Sequence, residues 1–353
     1  MIGAGVVGIA TAWLLQARGH RVCLIDPRLA DEGDGPGGSA AALGLLMAQV
    51  YRRSSGRGWR LRQQSLALWR LWRDELASRG RPIPWRPGLL QLAGNDEELA
   101  IQARLVQERR ARGCPLQLLS REELQAWRPQ LPAEAVGGLL SPADGQLDPS
   151  AAMAALLADA REGGLQTLGV GATRLERRAA GGGEGRWAVH LTTGATSACD
   201  WVVLCAGLES PALLEPLGHQ RPLSPVLGQA LELELPPGCG DAGSWLGSVS
   251  WDGINLVPRP EGRLWLGATL EPGATANAAA REGLRQLNGA APDWLRRARV
   301  IRHWMGSRAR PVGRPAPLLE RLEEGLLLAS GHYRNGVLLA PASAAWVADQ
   351  IAS

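Results

Sequence analysis

The 353-residue sequence predicts an α/β protein, α+β overall, in which an antiparallel-sheet domain is inserted into a domain with a parallel sheet. The glycine-rich stretch Gly3-Ala-Gly5-Val-Val-Gly8 precedes residues with the pattern of a helix. The wholly apolar runs at 202–206 and 326–329 are typical of parallel strands that are buried on both faces. Residues 222–270 alternate apolar and polar side chains between turn residues, which predicts antiparallel strands.

The first element is a phosphate-binding loop. Its Gly-x-Gly-x-x-Gly spacing lets a dinucleotide pyrophosphate approach bare backbone at a helix N-terminus. Asp26 ends the next apolar strand, where an acid can hydrogen-bond both ribose hydroxyls. The loop alone fits NAD and FAD equally. Only Met1 and Ile2 precede it, whereas about five residues of strand are expected there, so we expect that the start site was assigned too late.

The next elements follow from apolar periodicity, capping residues and turn residues. Up to residue 163, the pattern predicts a helix at 9–19, a strand at 21–26, a loop at 31–38, a helix at 57–79, a strand at 83–92 and helices at 96–113, 120–127 and 148–163. After that, it predicts strands within 165–192 around a Gly181-Gly-Gly turn, a strand at 201–207, a helix at 274–287, a strand at 326–329 and a terminal helix at 341–351. Two tryptophans of the 57–79 helix, Trp69 and Trp72, are interpreted as core residues.

Composition narrows the class of protein. A net charge of +4 is small for this length, and the 38 basic residues, all arginines because the chain has no lysine, are spread along it. A nucleic-acid surface needs clustered charge and aromatic platforms, so we expect none. The arginine-dense stretch at 52–86 is interpreted as the solvated face of an amphipathic helix.

Cysteine usage and hydropathy bear on location. Five cysteines, an odd number without a C-x-x-C pair, predict a reducing cytoplasm. The apolar stretch at 6–15 lacks the basic flank of a signal peptide, and no run is long enough to span a bilayer. We expect neither membrane attachment nor a metal site.

Further segments resemble, in the same order, the D-amino-acid oxidase family of flavoproteins. Ser39-Ala-Ala-Ala-Leu-Gly44 resembles the segment that runs past the pyrophosphate toward the flavin, although an Ala-rich helix is an alternative for these residues alone. Val202-Val-Leu-Cys-Ala-Gly207 resembles the strand and Ala-Gly turn beside the cofactor. The segments at 225–229, 256–259 and 264–269 resemble substrate-domain strands, and Trp304-Met-Gly-Ser-Arg308 resembles the segment with the substrate-binding arginine.

The segment Gly331-His-Tyr-Arg-Asn-Gly-Val-Leu-Leu-Ala-Pro341 closely resembles the C-terminal flavin motif of the family's glycine oxidases of thiamine biosynthesis. Backbone N–H groups of this strand–helix turn can face the flavin pyrimidine, where negative charge develops on reduction. The resemblance covers nearly the whole chain. It implies a Rossmann-like FAD-binding domain formed by residues 1–82, 145–219 and 302–353, and a substrate-binding domain formed by 83–144 and 220–301.

The resemblance implies FAD as the cofactor. Noncovalent binding is expected because no cysteine near Arg308 suits a covalent flavin bond. A lysine that activates oxygen, as in sarcosine-oxidase-like relatives, cannot exist in this chain. The residues assigned to the cofactor are Gly3, Gly5, Val6, Val7, Gly8, Asp26, Ser39, Ala40, Ala41, Ala42, Gly44, Ala172, Ala206, Gly207, Gly331, His332, Tyr333, Arg334, Asn335, Gly336, Val337 and Leu338.

Four residues are assigned to the reaction: Arg308, Arg310, Arg334 and Asn255. An arginine fork is the expected clamp for a substrate carboxylate. The family's proline is missing after Arg308 and follows Arg310 instead, so the register stays open, with Arg308 preferred. Arg334 is expected near the flavin or the substrate. Asn255 stands where related oxidases often place an aromatic pocket residue, and its amide can hydrogen-bond a small substrate.

The expected function is FAD-dependent oxidative deamination of glycine or another small amino acid by hydride transfer, with O2 as the acceptor that yields H2O2, linked to thiazole synthesis for thiamine. Two alternatives stay open: a same-fold D-amino-acid dehydrogenase with a non-oxygen acceptor, and a flavin-binding remnant without catalysis. The expected partners are a small amino-acid substrate and O2. A homo-oligomer and a functional link to thiazole synthase also stay open.

Overall fold

The computed structural model describes residues 1–30, 37–178, 185–239, 245 and 247–352. The predicted loop at 31–38 falls mostly outside these residues, and the predicted Gly181-Gly-Gly turn falls wholly outside them. The helices are α1 (Val6–Ala17), α2 (Gly56–Ser78), α3 (Asp96–Arg110), α4 (Arg121–Gln125), α5 (Pro149–Glu162), α6 (Ser210–Leu214), α7 (Ala278–Arg285), α8 (Asp293–Arg297) and α9 (Gly336–Ala352).

Many of the strands follow one another in the chain without a helix between them. The strands are β1 (Cys23–Ile25), β2 (Leu45–Leu46), β3 (Trp85–Ala93), β4 (Gln117–Ser120), β5 (Gly137–Leu147), β6 (Gln166–Leu168), β7 (Ala172–Arg177), β8 (Trp187–Leu191), β9 (Thr196–Cys199), β10 (Val202–Leu204), β11 (Leu223–Glu234), β12 (Ser248–Trp251), β13 (Ile254–Arg259), β14 (Arg263–Gly267), β15 (Glu271–Pro272), β16 (Arg299–Pro311), β17 (Leu318–Glu323) and β18 (Leu326–Ser330).

The parallel sheet holds the glycine loop. β1 pairs with β6 and β10 pairs with β18, both in parallel. Ile2 forms single parallel bridges to Ile25 and to Leu204, so it joins the two pairs. The residue before the loop therefore lies at the centre of this sheet, where a strand before the loop was expected.

Helices α1, α2, α5 and α9 share one hydrophobic core with one face of the parallel sheet. Trp69 and Trp72 are buried in this core, which confirms the core interpretation. The alternate residues of β10 and β18 pack on the other face, against β8 of a small antiparallel sheet. Burial of both faces explains why these strands are wholly apolar.

The antiparallel domain is built on one large, mostly antiparallel sheet with the order β15-β11-β14-β13-β12-β3-β5-β2. β16 pairs along the whole of β11, from Leu223 opposite Pro311 to Glu234 opposite Arg299. Sequence reasoning did not predict this 13-residue strand. The fold class is as expected, α/β with an inserted antiparallel sheet.

The small-residue segment at 39–44 is a turn that leads into β2, which rules out the alternative of an Ala-rich helix. One local prediction needs correction. α9 begins at Gly336, five residues before the predicted start at 341, so Pro341 lies inside the helix. Proline cannot donate to the carbonyl four residues before it. Here the indole Nε1 of Trp69 donates to that carbonyl, Val337 O, at 2.9 Å, so the helix continues through Pro341.

The predicted capping residues are confirmed. Asp148 accepts a hydrogen bond from the N–H of Ala151 at the start of α5. Ser120 and Glu123 form the reciprocal capping box of α4. Both devices satisfy backbone N–H groups that have no partner within the helix.

The division into domains stays a prediction, with one amendment. The boundary at residue 302 lies within β16, which belongs to the large sheet by its pairing with β11. We therefore propose that the second crossing to the cofactor domain follows Pro311. In the part of the chain that the structure describes, no helix is long and apolar enough to cross a membrane.

Candidate functional site

A cleft of about 1130 Å³ lies where the two sheets meet. Its walls come from the start of α1, the segment at 37–45, the turn at 205–209, strands β11 and β16, and the turn at 329–337. These segments are far apart in the chain. The predicted nucleotide loop and the predicted C-terminal flavin motif therefore face one cavity.

The glycine loop is packed so closely that side chains are excluded. A Cβ at Gly8 would lie 1.8 Å from the carbonyl oxygen of Gly3, and a Cβ at Gly3 would lie 2.6 Å from that of Cys205. Gly3 also has φ +102°, a conformation that favours glycine. These two glycines bring the N-terminus of α1 against the sheet, while Gly5 lines the cleft.

The N-terminus of α1 suits an anion. No side chain caps α1 at Gly5, and the N–H groups of Val7 and Gly8 have no acceptor within the helix. Val6 N donates to Ser39 Oγ at 3.0 Å, which ties the segment after β1 to this end of the helix. The residues fit the pyrophosphate of a dinucleotide.

Asp26 is buried and fully engaged within the chain. Its carboxylate accepts from Ala4 N at 2.7 Å and from the backbone and guanidinium of Arg28 at 2.8–3.0 Å. Burial raises the pKa of Asp26, but these hydrogen bonds outweigh it and leave that pKa below its usual value. Arg28, rather than Asp26, lines the cleft, so a ribose contact to Asp26 stays a prediction.

The turn after β18 is tightly constrained. Gly331 has φ +64° and Tyr333 has φ +55°, a left-handed conformation that is unusual for a bulky side chain. His332 is buried and its Nε2 lies 2.8 Å from Ser343 Oγ, which donates to Leu339 O. The histidine therefore donates through Nε2. Burial lowers the pKa of His332 to about 3, so the ring is neutral.

Arg308 lies on β16, at the end of the cleft that residues of β11 and β13 also line, and we propose that this is the substrate end. Its guanidinium covers Gly228 of β11, where a Cβ would lie 2.3 Å from it. Nη1 donates to the carbonyls of Leu227 and Thr269 at 3.2 and 3.1 Å. Burial lowers the pKa of Arg308, and the nearby charge of Arg334 lowers that pKa further. The backbone thus fixes the guanidinium, which has no salt bridge among the described residues.

Arg310 lies beyond the cleft. It is exposed, lies outside the cleft lining, and stacks its guanidinium 5.7 Å from the ring centre of Tyr333. Arg308 and Arg310 are two residues apart on one strand, so they share a face of it. The end of the cleft lies at Arg308, and this placement favours Arg308 as the carboxylate clamp.

Asn255 is a neutral polar residue that lines the same cleft as Arg308. It lies on β13, is buried, and donates from Nδ2 to the carbonyl of Gly267 on β14 at 3.2 Å. Its Oδ1 is buried and has no hydrogen-bond partner within the described part of the chain. An unpaired buried acceptor is costly, so this oxygen is available to a ligand donor in the cleft.

The structure brings most of the predicted residues to the cleft. Those that line it are Gly5, Val6, Val7, Ser39, Ala41, Ala42, Gly44, Ala206, Gly207, Asn255, Arg308 and each residue from Gly331 to Val337, Arg334 included. Those outside the lining are Gly3, Gly8, Asp26, Ala40, Ala172, Leu338 and Arg310.

Sequence reasoning missed Arg62 and the loop before α2. Arg62 lines the cleft and donates to Asn335 Oδ1 at 3.0 Å, so the interpretation of 52–86 as a solvated face is wrong at this position, although Arg60 and Arg70 are exposed. A signal was present. Arg62 lies seven residues before Trp69, and helical spacing places both on the buried stripe of α2.

Comparison with known proteins supports the family resemblance of the sequence. The model of the family described as DAO, FAD dependent oxidoreductase, matches residues 1–350. Glycine oxidase of Geobacillus kaustophilus (strain HTA426) is 32% identical over 359 residues, which cover 99% of this chain and 92% of that protein. The bifunctional protein ThiO/ThiG of Synechocystis sp. is 28% identical over 99% of this chain and 51% of its own length.

Solved structures agree in fold. The crystal structure of glycine oxidase from Geobacillus kaustophilus matches with a TM-score of 0.87 and 29% identity, over 99% of this chain and 93% of that one. L-alpha-glycerophosphate oxidase from Mycoplasma pneumoniae, with FAD bound, matches in fold with a TM-score of 0.82 and 17% identity, over 100% of this chain and 94% of that one.

Proposed function

Since the chain belongs to the DAO family of FAD-dependent oxidoreductases, we propose that it oxidises glycine or another small amino acid to the imine. The single observation that carries the proposal is the guanidinium of Arg308, which two backbone carbonyls fix at the substrate end and which forms no salt bridge with any acid among the described residues. A planar fork of this kind pairs with a carboxylate through two parallel hydrogen bonds.

The other residues complete the substrate site. Asn255 Oδ1 accepts an N–H of the substrate amine, and the two contacts orient the α-carbon. Bound FAD supplies the hydride acceptor of the reaction. The packed glycines, the free N–H groups of α1 and the fixed turn at 331–336 are the residues that hold it, and noncovalent binding is part of the proposal.

The proposed reaction converts the amine of the substrate to an imine. The neutral amine loses its α-hydrogen with the bonding pair and one N–H proton, which leaves a C=N bond. Water then converts the imine to glyoxylate and ammonia when glycine is the substrate. O2 takes up the two electrons and two protons as H2O2.

The test is anaerobic flavin reduction, followed by peroxide release in air, with glycine, sarcosine and D-alanine. Bleaching of the flavin by at least one amine and stoichiometric peroxide support the proposal. Bleaching without peroxide assigns the chain to a dehydrogenase with another acceptor. If no amine bleaches the flavin, amine oxidation is wrong.

The role of the product is a further part of the proposal. The similarity to ThiO/ThiG leads us to propose that the imine supplies the thiazole ring of thiamine, together with a thiazole synthase, in the cytoplasm. Rescue of a thiazole-requiring bacterial strain by the gene tests this link. Growth without rescue, from an active enzyme, contradicts it.

A further inference from the structure

The cleft has an excess of positive charge that a single carboxylate clamp does not require. Its described lining includes six arginines and one acid, Glu209. Asp26 pairs with one of the six, Arg28. The lining arginines without a salt bridge to a described acid are Arg52, Arg53, Arg62, Arg308 and Arg334.

Arg62 is the best-defined member of the group outside the proposed carboxylate clamp. Its guanidinium lies 4.0 Å from the ring centre of Tyr51, and its Nη2 donates to Asn335 Oδ1. Its Nε is buried, and no acceptor for it lies among the residues that the structure describes. Burial lowers the pKa of Arg62, and the charge of Asp144 opposes this shift without cancelling it. An anion beside it would relieve that cost.

Arg52 and Arg53 are exposed, but the loop that carries them is fixed. Asp144 is fully buried and accepts from the N–H groups of Ala48, Gln49 and Val50 at 2.8–3.0 Å.

On the other side, Arg109 is fully buried and donates to the carbonyls of Gln49, Tyr51 and Arg53 at 2.6–3.1 Å. Its guanidinium also stacks 3.9 Å from the ring centre of Trp59. Asp144 and Arg109 therefore fix one short loop, and Arg52 and Arg53 of this loop line the cleft.

Arg52, Arg53 and Arg62 form one group of arginines, here called the second group, and Arg308 and Arg334 form the other. Both groups include a residue that lies at or contacts the turn at 333–335. Arg62 reaches Asn335, the next residue after Arg334, and the charge of Arg334 acts on Arg308. A small molecule on the turn at 333–335 can therefore meet Arg308 at one end and the second group at the other. The pyrophosphate, by contrast, has its own site at the N-terminus of α1.

We propose that Arg52, Arg53 and Arg62 form a second anion subsite, which selects amino or imino acids that carry a second carboxylate. This inference rests on the proposed function, because Arg308 is taken as the clamp for the first carboxylate. The chemical class is a small dicarboxylic amine, with the second carboxylate on the nitrogen substituent or on the α-carbon.

Matched substrates test the subsite. N-(carboxymethyl)glycine is compared with sarcosine, and D-aspartate with D-alanine, by kcat/KM. We expect a preference of about tenfold or more for the dicarboxylic member of at least one pair, since a hydrogen bond to a charged group contributes about that factor. The pair that shows it locates the second carboxylate.

Binding is measured separately from turnover. Succinate and butyrate differ by one carboxylate, and each is titrated against the absorbance of the flavin in the holoenzyme. We expect succinate to bind about tenfold more tightly at low salt, with the advantage reduced in the double variant Arg52→Gln/Arg53→Gln and in Arg62→Gln. Arg60→Gln, an exposed change on α2, is the matched control and retains the preference.

The outcomes separate the two proposals. Oxidation of sarcosine and D-alanine with no dicarboxylate preference, and equal binding of succinate and butyrate, overturns the subsite while the proposed function stands. If Arg62→Gln or the double variant releases the flavin, these arginines serve the cofactor and the subsite is wrong. Tighter binding of succinate without oxidation of any amine supports the anion subsite and removes the proposed function.

Discussion

The two ends of the cleft are built on opposite principles. At the nucleotide end, backbone defines the shape, and polar side chains such as Asp26 and Ser39 are already hydrogen-bonded within the chain. At the substrate end, side chains define the shape, and Asn255 Oδ1 and the Arg62 Nε are left without a partner. Both ends therefore leave groups for a ligand, but of different kinds: backbone N–H groups of Val7 and Gly8 at the nucleotide end, and side-chain atoms at the substrate end.

A substitution at the nucleotide end should destabilise the protein more than the other changes considered. In Gly8→Ala, the new Cβ meets the Gly3 carbonyl oxygen at 1.8 Å, and backbone cannot move aside as a flexible side chain would. We expect a loss of roughly 3 kcal/mol or more in the free energy of unfolding and a protein purified without yellow colour. Thermal unfolding and the flavin-to-protein absorbance ratio measure both.

The control for this change is Gly283→Ala in α7, where the nearest atom to the new Cβ is the side-chain Asn288 Oδ1 at 3.3 Å. Alanine has the higher helix propensity, so this variant should be as stable as the parent or more stable. A yellow, stable Gly8→Ala protein would show that the close packing of the loop is not required.

The substrate end should lose function without losing the cofactor. Arg308→Gln removes the forked cation, and we expect kcat/KM for the amine substrate to fall roughly 100-fold or more, with most of the change in KM and the flavin content unchanged. Arg310→Gln is the matched change on the same face of β16, and we expect less than about a threefold effect. The reverse order of the two variants would assign the carboxylate to Arg310.

The neutral side chain of His332, in the turn at 331–336, makes the stability of the folded protein depend on pH. The pKa of His332 is about 3 in the folded protein, below its ordinary value of 6.5, because burial disfavours the charged ring. Between these values the unfolded chain binds a proton that the folded chain does not, so folding stability decreases as pH falls below 6.5. From pH 7 to 5, we expect a loss of about 2 kcal/mol from this group.

The variant His332→Gln should lack that component of the pH dependence. Urea unfolding at pH 7 and pH 5 gives the difference between the two proteins. Exposed His20→Gln is the control for the loss of one histidine. Parallel pH profiles for the parent and His332→Gln would show that the ring titrates normally.

The smallest expected effect concerns a single hydrogen bond at the nucleotide end. Ser39→Ala removes the acceptor of the Val6 N–H, and we expect a cost of about 1 kcal/mol in stability and a weaker hold on FAD. Ser55→Ala is the matched control, since Ser55 precedes α2 without a side-chain capping bond. Equal melting temperatures for the two variants would show that the Ser39 contact adds no stability.

The elements that could be predicted from the amino-acid sequence are those whose signals are local. The glycine spacing at 3–8, the caps at Ser120 and Asp148 and the apolar strands at 202–206 and 326–329 depend on neighbours within a few residues, because helix and strand periodicity are short-range properties. The segment at 331–341 was identified as a flavin motif by its resemblance to a known family. Its residues line the cleft as far as Val337.

Other features depend on contacts that form only in the folded chain. Pro341 is accommodated inside α9 because Trp69, 272 residues earlier in the chain (341 − 69), satisfies a carbonyl that proline leaves free. Arg308 rather than Arg310 reaches the cleft because the β11–β16 register places Arg308 opposite Val226, beside the bare surface of Gly228. Arg62 becomes part of the site through Asn335. Such contacts join segments far apart in sequence, and no local pattern encodes which of several arginines will lack a partner once the chain has folded.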